Sequence, residues 1–352
     1  MKIGVFSKFN MAGGSEFRCV TMANAIARHS EHDAYILTER GFADKLIEHV
    51  DPGVSLIRSV FAEPSILYEM DHILVVNTDS KEFTTAQYWK DKRVDLNKIG
   101  GFTFLFNFIV SPAKTLYEIE KCTGVRIITT NKRFFDELSY KEKHEKVRHI
   151  RRMILESPID PTKVSSKKID TGIIRIGKHS HPLGNKFNEE HLELIHRINK
   201  KYKDKVIWDF MGVPKDREKE LEGVPNIILR KVFSIDVKDY LEGIHIFLFY
   251  PSWKRQEPWA RAVAEGLMSG SPVVAAKIDG GTIMQVIHGN NGYLCENVDD
   301  FEKYLSELIE NPELIQKLGD NARFYARQFT PEKVIGRFLD FIQEEDVKWT
   351  LA

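Results

Sequence analysis

Residues 251–296 read PSWKRQEPWARAVAEGLMSGSPVVAAKIDGGTIMQVIHGNNGYLCE. Glu257 and Glu265 stand eight residues apart in it, and the pattern predicts a helix over 257–269. On such a helix the two carboxylates share roughly one side, about 12 Å apart along the axis. That is too far for a carboxylate pair working on one glycosidic bond. It suits two acceptors that grip different hydroxyls of one extended ligand. The helix start beside Glu257 would also offer unpaired backbone N–H groups to an anion or a hydroxyl oxygen. An apolar run at 272–276 then reads as a strand, and glycines at 280–281 and 289–292 punctuate the chain before a short strand at 292–294.

The same alternation extends in both directions. Downstream, 299–310, 312–328 and 331–344 read as helices. Upstream, a strand at 172–176 leads into a polar loop at 177–185, a helix at 189–200 and strands at 206–211, 226–228 and 244–249. Pro158 and Pro161 interrupt the pattern and fit a linker. Before them lies a first series: a strand at 2–6, a glycine-bearing loop at 7–15, a helix from 16 to about 28, and strands at 34–37, 55–57, 72–76, 102–106 and 126–129. Helices are predicted at 42–49, 113–121, 131–138 and 142–155. Two consecutive open α/β units are therefore expected, 1–157 and 158–331, with a final helix and tail at about 332–352.

A chain of 352 residues exceeds what one core usually supports, which agrees with two domains. With 51 Lys+Arg against 51 Asp+Glu, the global basicity of a typical nucleic-acid binder is excluded. Cys19, Cys122 and Cys295 are far apart, so neither a disulfide framework nor a cysteine-rich zinc site is expected. No apolar run reaches the roughly 18–20 residues of a membrane span. No apolar signal region follows MKIGVF, so a cytoplasmic protein is expected, at most peripheral to a membrane surface. One local exception is 141–152, where six Lys/Arg meet two Glu. Its plain reading is a solvated face; its sharper reading is contact with an anionic acceptor, an anionic membrane surface or a nucleic acid.

Glu257-x7-Glu265, the Gly-Ser-Pro-Val-Val run at 270–274 and the glycines at 280–281 and 289–292 together resemble the donor-binding signature of a known family. It is that of the retaining nucleotide-sugar glycosyltransferases of family four, the glycosyl transferases group 1. The resemblance implies a GT-B fold, α/β, with two Rossmann-like domains facing each other across a cleft and the C-terminal segment crossing back onto the first. It implies that Glu257 contacts hydroxyls of the donor sugar and that Glu265 holds the ribose. Backbone N–H groups of the turn after Glu257 would reach sugar and phosphate. Many members have Gly-Phe-Gly there, whereas this chain has Pro258-Trp259-Ala260. Pro258 has no N–H, which leaves Trp259 and Ala260.

Gly177-Lys178 followed by Lys186 is similar to the family's Gly-Arg … Lys pair, in which two cations clamp the donor diphosphate. A lysine at 178 keeps the charge but loses the bidentate fork of arginine. Gly13 and Gly14 match the glycine loop after the first strand, and Gly212, Val232 and Phe233 fall where the family lines its base pocket. Arg261 either reaches phosphate or pairs with a neighbouring glutamate. Asp79 is an acceptor-side candidate. The resemblance is weakest over 40–150, where family members bind their acceptors.

The implied reaction moves a sugar from a nucleotide diphosphate to a hydroxyl of a glycan, lipid, metabolite or other acceptor. It retains the anomeric configuration by front-face displacement and uses neither metal nor cofactor, with Lys178, Lys186 and Glu257 at its centre. His179 and His181 lack a third ligand nearby in sequence, and His191 with His196 has the wrong spacing for a helix metal site. The alternatives are a nucleotide-sugar epimerase on the same fold and a non-catalytic nucleotide-sugar-binding protein. A dehydrogenase is disfavoured because the first loop lacks Gly-x-Gly-x-x-Gly.

Overall fold

A computed structural model describes residues 1–8, 14–76, 85–106, 119, 124–145, 150–164, 172–232, 234–255, 257–278 and 280–344. The chain forms two compact units, Met1–Pro158 with Pro331–Ala352, and Ile159–Thr330.

The first unit is built on β1 (Lys2–Ser7), β2 (Asp33–Thr38), β3 (Val54–Ile57), β4 (His72–Val75), β5 (Gly101–Phe106), β6 (Gly124–Thr129) and β7 (Arg151–Ile154). Their order is β3-β2-β1-β4-β5-β6-β7, and every neighbouring pair is parallel. Strands β4 and β5 are buried along their whole length, as a parallel sheet covered on both faces requires. Helices Gly14–His29 and Pro331–Gln343 share one apolar cluster with the sheet. The second of them contributes Val334, Ile335, Phe338, Phe341 and Ile342, spaced three and four apart. The other cluster centres on Trp89, whose ring lies 5.5 Å from Phe6 and 5.0 Å from Phe102.

The helix expected at 142–155 is not what forms. The helix Lys132–Glu145 stops, and β7 follows, registering Arg126 with Arg151 and Thr129 with Ile154. Sheet pairing wins because the edge of β6 carries backbone groups that need partners. Charged residues suit an edge strand. Arg152 donates to Ser139 Oγ at 2.8 Å and lies 4.8 Å over Phe135, and Arg151 donates to the Glu344 carbonyl at 2.9 Å. These two arginines of the basic segment thus bind their own unit, while 146–149 lie outside the described residues.

The second unit holds β8 (Ile174–His179), β9 (Val206–Met211), β10 (Ile227–Arg230), β11 (Ile246–Phe249), β12 (Val273–Ala276) and β13 (Gly292–Cys295). Their order is β10-β9-β8-β11-β12-β13, again parallel throughout. The chain grows from β8 to one edge and then returns to place β11 on the other side of β8. In open α/β sheets, ligands bind outside the carboxyl ends of the strands where the order reverses. That rule selects the loops after β8 and β11. In the first unit the reversal falls between β1 and β4. The segments after those strands, 9–13 and 77–84, contain Gly13 and Asp79 and lie outside the described residues.

Strand β8 also runs further than expected. Lys178 and His179 register with Phe210 and Met211 of β9, so both are strand residues rather than loop residues. The β11 ladder ends at Gly177, and pairing with β9 alone carries the strand past the apolar run. Beyond β9, Gly212 adopts φ +80°, and a Cβ there would lie 1.9 Å from the Ser180 carbonyl oxygen. Gly212→Ala is therefore expected to cost about 2 kcal/mol or more from combined strain and clash. A lowered urea midpoint at unchanged m-value would report it.

Candidate active site

The site grows from the carboxyl ends of β8 and β11. Lys178 is 2% exposed, its Nζ has no hydrogen-bond partner among the described residues, and it sits 5.5 Å over the Phe249 ring of β11. Burial, then the charges of Lys186 and Arg255, push its pKa down to about 7 against the pull of Glu257. Lys186 ends the single turn Gly184–Lys186 that follows β8. Its ammonium is also held below the ordinary value, chiefly by burial, with Glu257 opposing and Arg255 adding. Neither lysine has an ion-pair partner among the described residues.

Glu257 is not on a helix. It makes an isolated parallel bridge with Gly280, and its carbonyl accepts the Gly281 N–H at 2.8 Å. The helix spans Arg261–Met268, preceded by Ala260 in extended conformation at φ −85°, ψ 94°. Pro258 is the reason, because a residue before proline is pushed out of the helical region. The expected helix over 257–269 is thereby corrected, and with it the 12 Å spacing along one axis. Glu265 lies within the helix and Glu257 before it. The close approach is possible because Gly281 has no side chain: a Cβ there would come within 2.6 Å of Trp259 Cα.

Each carboxylate is held by a cation. Glu257, 7% exposed, accepts from Arg255 Nε at 2.7 Å. Glu265, 8% exposed, accepts from Arg261 Nε one turn earlier at 2.8 Å. Of the two roles open to Arg261, pairing with a glutamate is therefore observed, while its buried Nη1 has no partner among the described residues. His179 Nε2 approaches Glu265 Oε2 to 3.4 Å without forming a hydrogen bond. Burial, against the pull of Glu265, holds the imidazole below its ordinary pKa and so favours its neutral form.

The turn between the glutamates differs from expectation in one respect. The Ala260 N–H donates to Gln285 Oε1 at 3.2 Å, and Gln285 Nε2 returns a bond to the Ala260 carbonyl at 3.0 Å. That N–H is already engaged. Trp259 is buried against Phe329, with ring centroids 5.0 Å apart, and its Nε1 has no partner among the described residues.

The structure thus brings together Lys178, Lys186, Glu257, Trp259, Ala260, Arg261 and Glu265. Gly212 stands at the end of β9 with Val232 beside it, 3.6 Å from where a Cβ would project. Phe233 lies outside the described residues, and Gly14 opens the helix Gly14–His29. The sequence reading missed Arg255, Gln285 and the placement of His179. A cation two residues before Glu257 was a usable signal for the first. Nothing in the sequence marks Gln285, which reaches Ala260 only through the fold.

Residues 189–324 match the family model described as glycosyl transferases group 1. An uncharacterized glycosyltransferase of Haemophilus influenzae is 26% identical over 95% of this chain and 98% of its own. Among solved structures, Anabaena Alr3699/HepE in complex with UDP superposes with a TM-score of 0.73 at 17% identity, covering 97% of this chain and 99% of that one. A glycosyltransferase of Rickettsia africae gives 0.74 at 14% identity, covering 98% and 99%. These likenesses show the expected GT-B fold of two Rossmann-like α/β domains.

Proposed function

We propose that this chain, whose residues 189–324 match the model of the glycosyl transferases group 1, transfers a sugar from a nucleotide diphosphate to an acceptor hydroxyl with retention of anomeric configuration. One observation carries the donor assignment. Among the described residues, buried polar nitrogens without partners lie at the end of β8 (Lys178 Nζ, His179 Nε2) and in the segment after β11 (Trp259 Nε1, Arg261 Nη1). Each such group costs about 1–3 kcal/mol when left unsatisfied, so their concentration at a strand-order reversal favours an acceptor-rich ligand. With Lys178 in its charged form, Lys178, Lys186, Arg255 and Arg261 outnumber Glu257 and Glu265 by two charges, which complements a diphosphate.

In this reading Lys178 and Lys186 neutralise the charge that develops on the departing diphosphate, a role that uses no metal. Glu257 orients the sugar and Glu265 the ribose, while Gly212 and Val232 border the base. Both carboxylates are tied to arginines, which dampens their nucleophilicity and supports front-face attack, with the leaving phosphate taking the acceptor proton. No helix among the described residues is long and apolar enough to cross a membrane.

A thermal-shift screen against UDP-, GDP-, ADP- and dTDP-sugars tests the reading, because a binder raises the melting temperature by mass action. A shift with one nucleotide series is expected; none with any of the four contradicts it.

The Lys178 ammonium adds a pH signature. With its pKa near 7, part of the population is neutral at pH 7 and most at pH 8. A bound diphosphate stabilises the charged form, so binding at pH 8 takes up a proton and affinity falls as pH rises. At pH 6 the group is already charged and uptake vanishes. Calorimetry in two buffers of different ionisation enthalpy should show uptake at pH 8 that is absent from Lys178→Met.

A further inference from the structure

Glu257 pulls on both Lys178 and Lys186, yet it pairs with neither. Left alone, a carboxylate among buried ammonium groups would collapse onto one of them and neutralise the charge that a diphosphate needs. Arg255 stands in the way. Its Nε donates to Glu257 Oε2 at 2.7 Å, and its Nη1 donates to Asn185 Oδ1 at 2.6 Å. Asn185 lies in the turn that carries Lys186, and the Ser252 N–H donates to its carbonyl at 3.1 Å. One guanidinium therefore ties the turn after β8 to the segment after β11. Only an arginine can span both acceptors with a rigid fork.

We infer that Arg255 is a positioning residue that sequesters the Glu257 carboxylate and thereby keeps Lys178 and Lys186 free to bind the diphosphate of the donor. This rests on the proposed nucleotide-sugar reading and adds to it a residue that acts through Glu257 rather than on the ligand. The arrangement gives the sugar carboxylate a fixed direction and holds the two ammonium groups unpaired. Removing Arg255 should do more than remove a charge: it should let Glu257 capture a lysine.

A double-mutant cycle of Arg255→Gln and Glu257→Gln separates these effects. Two readouts are taken on each folded variant. One is the titration midpoint of Lys178, followed through a ¹³Cε lysine resonance assigned with Lys178→Met; the other is the affinity for UDP, GDP, ADP and dTDP by calorimetry. Arg255→Gln should raise the midpoint by about a unit or more and weaken the bound nucleoside diphosphate about tenfold. Both effects should largely disappear when Glu257→Gln is added. Arg255→Lys, which can hold Glu257 but not Asn185 as well, should fall between.

Equal effects of Arg255→Gln in both backgrounds would overturn the inference, since Arg255 would then act as a bare charge or on phosphate directly. An unmoved midpoint would overturn it as well. If no nucleoside diphosphate binds the wild-type protein, the function reading fails. The Lys178 titration still decides the role of Arg255. Should Arg255→Gln fail to fold, Arg255→Lys and its pairing with Glu257→Gln give the same comparison at smaller amplitude.

Discussion

Lys178→Ala is expected to lower glycosyl transfer by about 10²–10³-fold, the scale of losing one preorganised charge from a buried site. The loss should appear in kcat more than in KM, because the ammonium acts on charge that builds up as the sugar leaves the diphosphate. Stability should move the other way. In the folded protein burial depresses this pKa to about 7 from the ordinary 10.5, so the unfolded chain holds the proton more tightly between those values. Stability therefore rises with pH from about 7 to 10.5, and the full penalty is present below 7. Replacing the lysine removes that penalty, so Lys178→Ala should unfold no more easily than wild type at pH 6, its small cavity aside. A variant that loses both activity and fold would place Lys178 in the packing of β8 and not in the chemistry.

Glu257→Gln should separate sugar from nucleotide. The amide keeps an oxygen to accept from Arg255, but the charge-assisted bond to a sugar hydroxyl is lost, which lowers kcat/KM for the nucleotide sugar by about a hundredfold. The nucleoside diphosphate alone should bind at least as tightly as before, because a negative charge has left the neighbourhood of Lys178 and Lys186. Inhibition constants for the diphosphate beside turnover of its sugar give the comparison. Parallel loss of both would mean that Glu257 holds the loop and does not touch the sugar. Glu257→Ala is the poorer probe: it strands the mostly buried Arg255 guanidinium, a change that destabilises by about 3–5 kcal/mol in comparable buried pairs.

The sequence made the alternation of strands and helices legible wherever apolar runs were short and bounded by glycine, proline or polar residues. Strands β8 to β13 and the closing helices of the second unit follow from that pattern. The return of the final helix to the first unit followed from the family resemblance rather than from any local signal; its packing beside Gly14–His29 did not follow from either. Local pattern failed where tertiary partners decide. Arg151–Ile154 looks helical by composition and becomes a strand because β6 offers an open edge. Lys178 and His179 look like loop residues and are held in β8 by β9. Glu257 is drawn off the helix by Pro258, a signal that was present in the sequence but was outweighed by the regular spacing to Glu265.

The site shows the same division. The residue types, two glutamates and two lysines, could be read in order along the chain. Their environment could not: that Lys178 is sealed under Phe249, that Gln285 engages the Ala260 N–H, and that Arg255 spans Glu257 and Asn185 all depend on segments far apart in sequence. The acceptor stays hidden for a different reason. The loops after β1 and β4, where the first unit's strand order reverses, mix charged and aromatic residues such as Phe9, Asp79, Lys81, Glu82 and Phe83, in no spacing that selects one hydroxyl compound over another.

The most direct test is a structure of the protein with the nucleotide sugar that the thermal-shift screen selects. The donor's pyrophosphate is predicted within hydrogen-bond distance of Lys178 Nζ and Lys186 Nζ, with the ribose hydroxyls on Glu265 and the sugar hydroxyls on Glu257. A nucleotide sugar bound elsewhere, with Lys178 still sealed and unpartnered beneath Phe249, would contradict the assignment of this site.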